Sequence, residues 1–172
     1  MKMRNFRLLL LVSFSIGFFN AVGQYREGKI LYERKTNLYK RMGEGASKWV
    51  EEKDKIKKEY FELVFTDSLS LFQQKPTDIP DPMPWGTSRN MVYRTLRNDY
   101  YYSIRDIWGD AVHVEDSIPH REWKITDSKR VIAGYSCRKA LWVVNDSTKI
   151  YAWYAEEIIP SIGPERFAGL PG

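Results

Sequence analysis

The sequence predicts a mainly β protein of meandering antiparallel strands, and three observations carry that prediction. Short runs of aromatic and β-branched residues recur along the chain, polar and Gly residues punctuate them, and prolines cluster between them. The 172 residues, 43% hydrophobic and 15% aromatic, suit one globular domain. A single cysteine excludes an internal disulfide framework and any zinc site built from several cysteines.

Residues 1–23 read as a secretory leader ahead of that domain, which spans 24–172. Lys2, Arg4 and Arg7 form a basic start, Leu8 to Phe19 is an apolar run, and Ala21-Val22-Gly23 offers small side chains before a cut at Gln24. As a helix the apolar run rises only about 18 Å, against a hydrocarbon core of about 30 Å, so no permanent membrane span is expected after cleavage. Removal of three basic residues leaves 24 Lys and Arg against 22 Asp and Glu, a net of +2. A nucleic-acid partner is therefore not expected. The cluster Lys53-Asp54-Lys55-Ile56-Lys57-Lys58 follows Glu51-Glu52 and reads as a solvated surface.

In chain order, Gly28 to Leu38 alternates as a strand, with Ile30 and Tyr32 on one face and Leu31 breaking the pattern. Met42-Gly43-Glu44-Gly45 marks a loop, and Ser47 followed by Lys48 to Lys58 fits either a capped helix or a charged strand. Tyr60 to Thr66 and Leu69 to Phe72 read as a hairpin across Asp67-Ser68. Lys75 to Gly86, with Pro76, Pro80, Pro82 and Pro84, is a long loop that no regular element tolerates. Strands are then predicted at Met91 to Leu96, Tyr100 to Asp106, Ala111 to Glu115 and Arg121 to Ile125. Gly134 to Val144 and Lys149 to Ala155 form a second hairpin across Asn145-Asp146-Ser147. Apolar side chains on both faces of its last strand imply cover on both sides, or one side lining a cavity.

Catalytic signals are sparse: there is no nucleophile elbow, phosphate-cradling Gly loop, zinc-protease helix or EF-hand loop, and no cofactor is expected. His113 and His120 flank Glu115 and Asp116, a conceivable metal set, but His113 alternates with Val112 and Val114 as a strand residue would. Glu156-Glu157 is a conceivable acid/base pair, although adjacent strand residues face apart. Cys137 beside Arg138 and Lys139 reads either as an activated thiol or as a buried inert one. Trp49, Trp85, Trp108, Trp123, Trp142 and Trp153 serve either as sheet packing or as the floor of a sugar, lipid or peptide site.

The C-terminal third carries a recognisable pattern: Ile132-Ala133-Gly134-Tyr135-Ser136-Cys137-Arg138-Lys139-Ala140, then Ala152-Trp153-Tyr154, Ile159-Pro160-Ser161-Ile162-Gly163-Pro164, and Phe167-Ala168-Gly169-Leu170-Pro171-Gly172. In the order and spacing of these blocks it resembles the exported, biochemically uncharacterised GLPGLI family of the Bacteroidota. The leader and Gly28 to Tyr32 look similar too. Ala155 stands where that family usually shows Thr, and the approach from Glu156 to Pro160 is one residue longer. The chain ends at Gly172, before the Leu-Ile that completes the motif, so the resemblance implies a domain lacking its C-terminal strands and leaving a sheet edge unpaired. By analogy with periplasmic lipoprotein carriers, it also implies a curved sheet or open half-barrel with an apolar concave face.

The alternation of Gly and Pro in Gly163-Pro164 and Gly169-Leu170-Pro171-Gly172 suits a tight loop, with Phe167 and Leu170 plugging against the sheet as a structural lock or a binding loop. The expectation is a periplasmic or secreted, non-enzymatic carrier-like protein for an apolar ligand or an envelope protein. Trp142, Trp153, Tyr151 and Tyr154 are its candidate ligand-binding residues. The alternatives are an interaction module docking through sheet edges or the Pro-rich loop at Trp85, and a hydrolase using Glu156 or Glu157 with His113.

Overall fold

The computed structural model describes residues 23–43, 45, 48–78, 90–107 and 110–172. Residues 1–22, most of the stretch read as a leader, together with most of the Pro-rich run including Trp85, and also Glu44, Ser47 and Trp108, lie outside the described residues.

The protein is mainly β. Strands β1 (Gly28–Asn37), β2 (Ile56–Phe65), β3 (Leu69–Gln74), β4 (Met91–Thr95), β5 (Tyr100–Ile107) and β6 (Asp110–Ser117) form one antiparallel sheet in sequential order. Strands β7 (Lys124–Ile132), β8 (Tyr135–Asn145) and β9 (Thr148–Ala155) form a second antiparallel sheet. Neither closes into a barrel: β1 and β6 are the two edges of the first sheet, β7 and β9 those of the second.

The alternation read from the sequence sets which face is buried. Phe61, Leu63 and Phe65 of β2, Phe72 of β3, Val92 of β4 and Tyr101 of β5 point inward, with Ile30 and Tyr32 of β1 packed against them. Leu31 points the other way and is 61% exposed, which explains why it broke the β1 pattern. The core continues through Cys137 of β8, Ala155 of β9, and Ile158 and Ile162 of the segment after β9. That segment, 156–172, thus belongs to the core of both sheets.

Two stretches differ from the expectation. The region from Lys48 to Lys58 is neither one helix nor one strand: a 3-10 turn covers Glu52–Asp54, and β2 already starts at Ile56. Charge hid the start of β2. Lys57 and Glu59 are buried there because Arg34 of β1 grips Glu59 through Nε at 3.0 Å and Nη2 at 2.8 Å, with Lys57 Nζ 3.6 Å from the same carboxylate. A short helix α1 (Leu38–Met42), capped by the Asn37 side chain, replaces the end of the predicted first strand. Leu38 and Val50 make a small satellite core beneath it.

The strand expected at Arg121 to Ile125 begins only at Lys124 and runs on to Ile132. Arg121 and Trp123 are coil because their side chains reach across to residues 166–168. The other predicted strands match β1, β3, β4, β5, β6, β8 and β9 to within two residues at each end.

Candidate functional site

Residues 156–172 form no strand, so their backbone polar groups need other partners. Side chains from the six-stranded sheet and from the coil before β7 supply several of them. Arg94 of β4 donates from Nη1 to the Phe167 carbonyl at 3.0 Å and from Nη2 to the Ser161 carbonyl at 3.4 Å. Arg121 donates to the Arg166 carbonyl at 2.9 Å, and Trp123 Nε1 to the Ala168 carbonyl at 2.8 Å. The Ser161 hydroxyl accepts from Gly169 N–H at 2.7 Å. Glu165 reaches Arg34 at 3.4 Å, and Arg166 donates to the Tyr101 hydroxyl at 3.1 Å.

The glycines of the motif follow from this packing. A Cβ on Gly163 would sit 2.8 Å from the Phe167 carbonyl oxygen, and one on Gly172 would sit 2.9 Å from that of Ala155. Gly169 combines a φ of +93° with a site 3.2 Å from the Trp123 ring. Bare backbone is what lets the segment lie this close to β9 and the coil before β7.

Between β9 and this segment lies a cavity of about 260 Å³, lined by Tyr32, Trp123, Tyr151, Trp153, Tyr154, Ile162, Gly163, Pro164, Phe167 and Leu170 among others. Three of the four candidate ligand residues, Tyr151, Trp153 and Tyr154, therefore share one cavity. Both faces of β9 contribute to it, because Ile150 and Ala152 join the lining as well. Trp142 is not in the lining: it lies edge-on to Trp123 with the Arg121 guanidinium 5.1 Å from its ring. Phe167 and Leu170 do line it, so the G-L-P-G segment forms a wall. Trp123 was named from sequence only among the six tryptophans able to floor a site, and Tyr32 was not singled out as a ligand residue at all, since both are distant from β9 along the chain.

The volume sits just under the roughly 300–1,000 Å³ usual for small-molecule sites, so it suits a short apolar group better than a two-chain lipid. Tyr151, largely exposed, marks its solvent side, and Tyr32 its inner side. Burial pushes the Tyr32 phenol up to about 12, so the ring meets a ligand as a neutral group.

The remaining candidates scatter. His113 lies on the outer face of edge strand β6, in a shallow groove with Tyr93, Tyr102, Ile104 and Glu115. Glu156 follows β9 on the other sheet, tied to Arg138 at 2.9 Å, while the Glu157 carbonyl accepts from Tyr25 N–H. Among the described residues no group of three or more His, Cys, Asp and Glu is placed to hold a metal. Cys137 is buried with its Sγ 3.6 Å from the Tyr135 carbonyl. Burial raises its thiol pKa, outweighing the opposing backbone hydrogen bond at Ile132 and the charge of Arg130, so the inert reading fits its surroundings. Its sequence neighbour Arg138 is committed to Glu156 instead.

Comparison with protein-family models, with curated proteins and with solved structures finds no match for this chain. Among the described residues no helix is long and apolar enough to cross a membrane.

Proposed function

We propose that this chain is an exported, non-enzymatic binding protein of the GLPGLI type, acting in the periplasm or outside the cell, and that it holds an apolar ligand between β9 and its G-L-P-G segment. The observation that carries this reading is the cavity of about 260 Å³ that gathers Tyr151, Trp153, Tyr154, Phe167 and Leu170 around one space. Flat aromatic walls bury much area at low entropic cost, and little in the lining offers a nucleophile or base. The resemblance in the C-terminal blocks supports the exported address.

The test is fluorescence titration with 1-aminonaphthalene, an apolar probe of the right scale, read through Trp123 and Trp153. Saturable quenching is expected, and Ala152→Phe, which fills the cavity from β9, should abolish it while leaving the far-UV circular dichroism unchanged. Binding that survives Ala152→Phe would place the ligand elsewhere.

A second reading, docking of an envelope partner, draws on the outer face of the six-stranded sheet. Leu31, Tyr60, Val64, Met91, Tyr102 and Ile104 are all exposed there. Val64, Leu71, Tyr93 and Tyr102 face one another in a row across β2 to β5, and Met91 pairs with Ile104, a denser apolar and aromatic surface than scattered surface hydrophobics require.

A further inference from the structure

The four sheet edges are not equally protected. Strand β7 loses register between Ile125 and Lys129 and carries Lys124, Lys129 and Arg130, devices that discourage edge pairing. β9 lies against the cavity and the segment after it, and the chain just before β1 is bridged from Tyr25 to Ile158. β6 has none of these. Its register with β5 runs unbroken from Ser117 opposite Tyr100 to Asp110 opposite Ile107, and it contains no Lys, Arg or Pro. Among the described residues, no backbone-to-backbone bond beyond the β5 ladder reaches it, and every residue but Val114 is exposed. At its end the Ser117 N–H is taken by Asp116 Oδ1 at 2.7 Å, which leaves Asp110 to Asp116 as the open stretch.

That edge is also acidic. Asp110, Glu115 and Asp116 are its carboxylates, and among the described residues none of them has a Lys, Arg or His within ion-pair distance. On the outer face, cross-strand register aligns Tyr93, Tyr102 and Glu115 in one row and Met91, Ile104 and His113 in the next. These six side chains line a groove of about 350 Å³ that runs to the sheet edge. The Glu115 charge, joined by a hydrogen bond from the Tyr102 hydroxyl, raises the Tyr102 phenol pKa, so a neutral ring lies beside the carboxylate. The next place in each row falls on whatever strand is added beside β6.

We infer that β6 is a strand-addition site for an extended basic segment of a partner protein, which pairs with Asp110 to Asp116 and sets Lys or Arg opposite Glu115 and Asp116. The inference deepens the docking reading above by naming the edge and the partner's chemistry, and it does not depend on the cavity. Backbone bonds to an edge supply affinity, and alternate side chains supply specificity. A cation opposite Glu115 extends the row of Tyr93 and Tyr102, where the carboxylate and the ring faces both favour it. An apolar or aromatic residue opposite His113 extends the row of Met91 and Ile104 over the groove. A second copy of β6 fits this edge less well, because each copy would bring three carboxylates and no Lys or Arg to one seam.

The experiment is calorimetric and NMR titration of the purified chain with the peptide acetyl-Thr-Lys-Lys-Val-Tyr-Val-Thr-Lys-amide, written to pair antiparallel with Ser117 to Asp110. Its control replaces each Lys with Glu. The basic peptide should bind at least about 10-fold more tightly than the control. It should also slow amide exchange at alternate residues of β6, those whose N–H groups point away from β5. Glu115→Gln, a change at an exposed side chain, should weaken the basic peptide about 2- to 5-fold. In the unaltered chain, high salt should narrow the preference between the two peptides. Equal binding of the two, or no binding of either, would overturn the inference. Resonance shifts gathered at Leu31, Tyr60 and Val64, with β6 exchange unchanged, would overturn the edge assignment and leave the docking reading standing. Self-association of the chain that protects β6 without any peptide would give the edge to a second copy and overturn the inference as well.

Discussion

Tyr32 shows how a residue placed by strand alternation acquires a property that alternation does not contain. Its position on the inner face of β1 follows from the period of two, but its phenol pKa of about 12 follows from what the C-terminal segment and the core lay over it. The unfolded chain ionises this tyrosine near its ordinary 10, whereas the folded chain keeps it neutral to about 12. Its contribution to stability is therefore complete below pH 10 and is lost as the pH rises from 10 to 12, amounting to about 2–3 kcal/mol. Urea unfolding at pH 9 and pH 11 should show a drop that Tyr32→Phe diminishes; an unchanged drop would assign the loss to other groups. Cys137 makes the complementary point, since its basic sequence neighbours left activated and inert readings open and its burial favours the inert one. Neighbours in a strand face apart, so sequence adjacency is a poor guide to electrostatic contact.

Among the elements, the hairpin of β7 and β8 is held by a tight turn. Ile132 pairs with Tyr135, leaving a two-residue turn in which Ala133 has φ +50° and Gly134 has φ +88°. Positive φ at both positions is what a hairpin matched to the strand twist requires. Glycine accepts it freely; alanine at Ala133 does not. Ala133→Asn should therefore raise stability by about 0.5–1 kcal/mol, and Gly134→Val should lower it by at least about 1 kcal/mol. Denaturant midpoints at constant slope are the check, and a destabilised Ala133→Asn would show that Ala133 has a packing role. Element by element, β3, β4, β5, β8 and β9 were legible because polar turn residues frame aromatic and β-branched runs. The start of β2 was not legible, because Lys57 and Glu59 look like surface residues until Arg34 is brought across from β1.

At the scale of the whole molecule, the segment after β9 makes one core of two sheets that share no strand. Ile162, 3% exposed, packs in a cluster that includes Phe61, Phe72 and Tyr101 from one sheet and Cys137 and Ala155 from the other. Ile162→Ala should cost about 2–5 kcal/mol, and its effect should reach both sheets. Hydrogen exchange is the measurement: amide protection in β2 and β8 is expected to fall together. Loss confined to β8 and β9 would mean that the six-stranded sheet is stable without the segment. The same architecture explains why the cavity exists. Glycines bring the backbone of 163–172 close to its neighbours, while Phe167 and Leu170 keep part of it away from β9.

By itself the sequence determined the class and most of the strands, since side-chain period, turn chemistry and proline placement act over a few residues. It also marked Tyr151, Trp153, Tyr154, Phe167 and Leu170, though not that they face one space. Tertiary structure alone decided that Tyr32 and Trp123 join them and that Trp142 does not. The reason is physical: apart from one bridge to Tyr25 the segment has no ladder partner, so its carbonyls draw on donors from elsewhere in the fold, among them side chains 45 and 73 positions away along the chain.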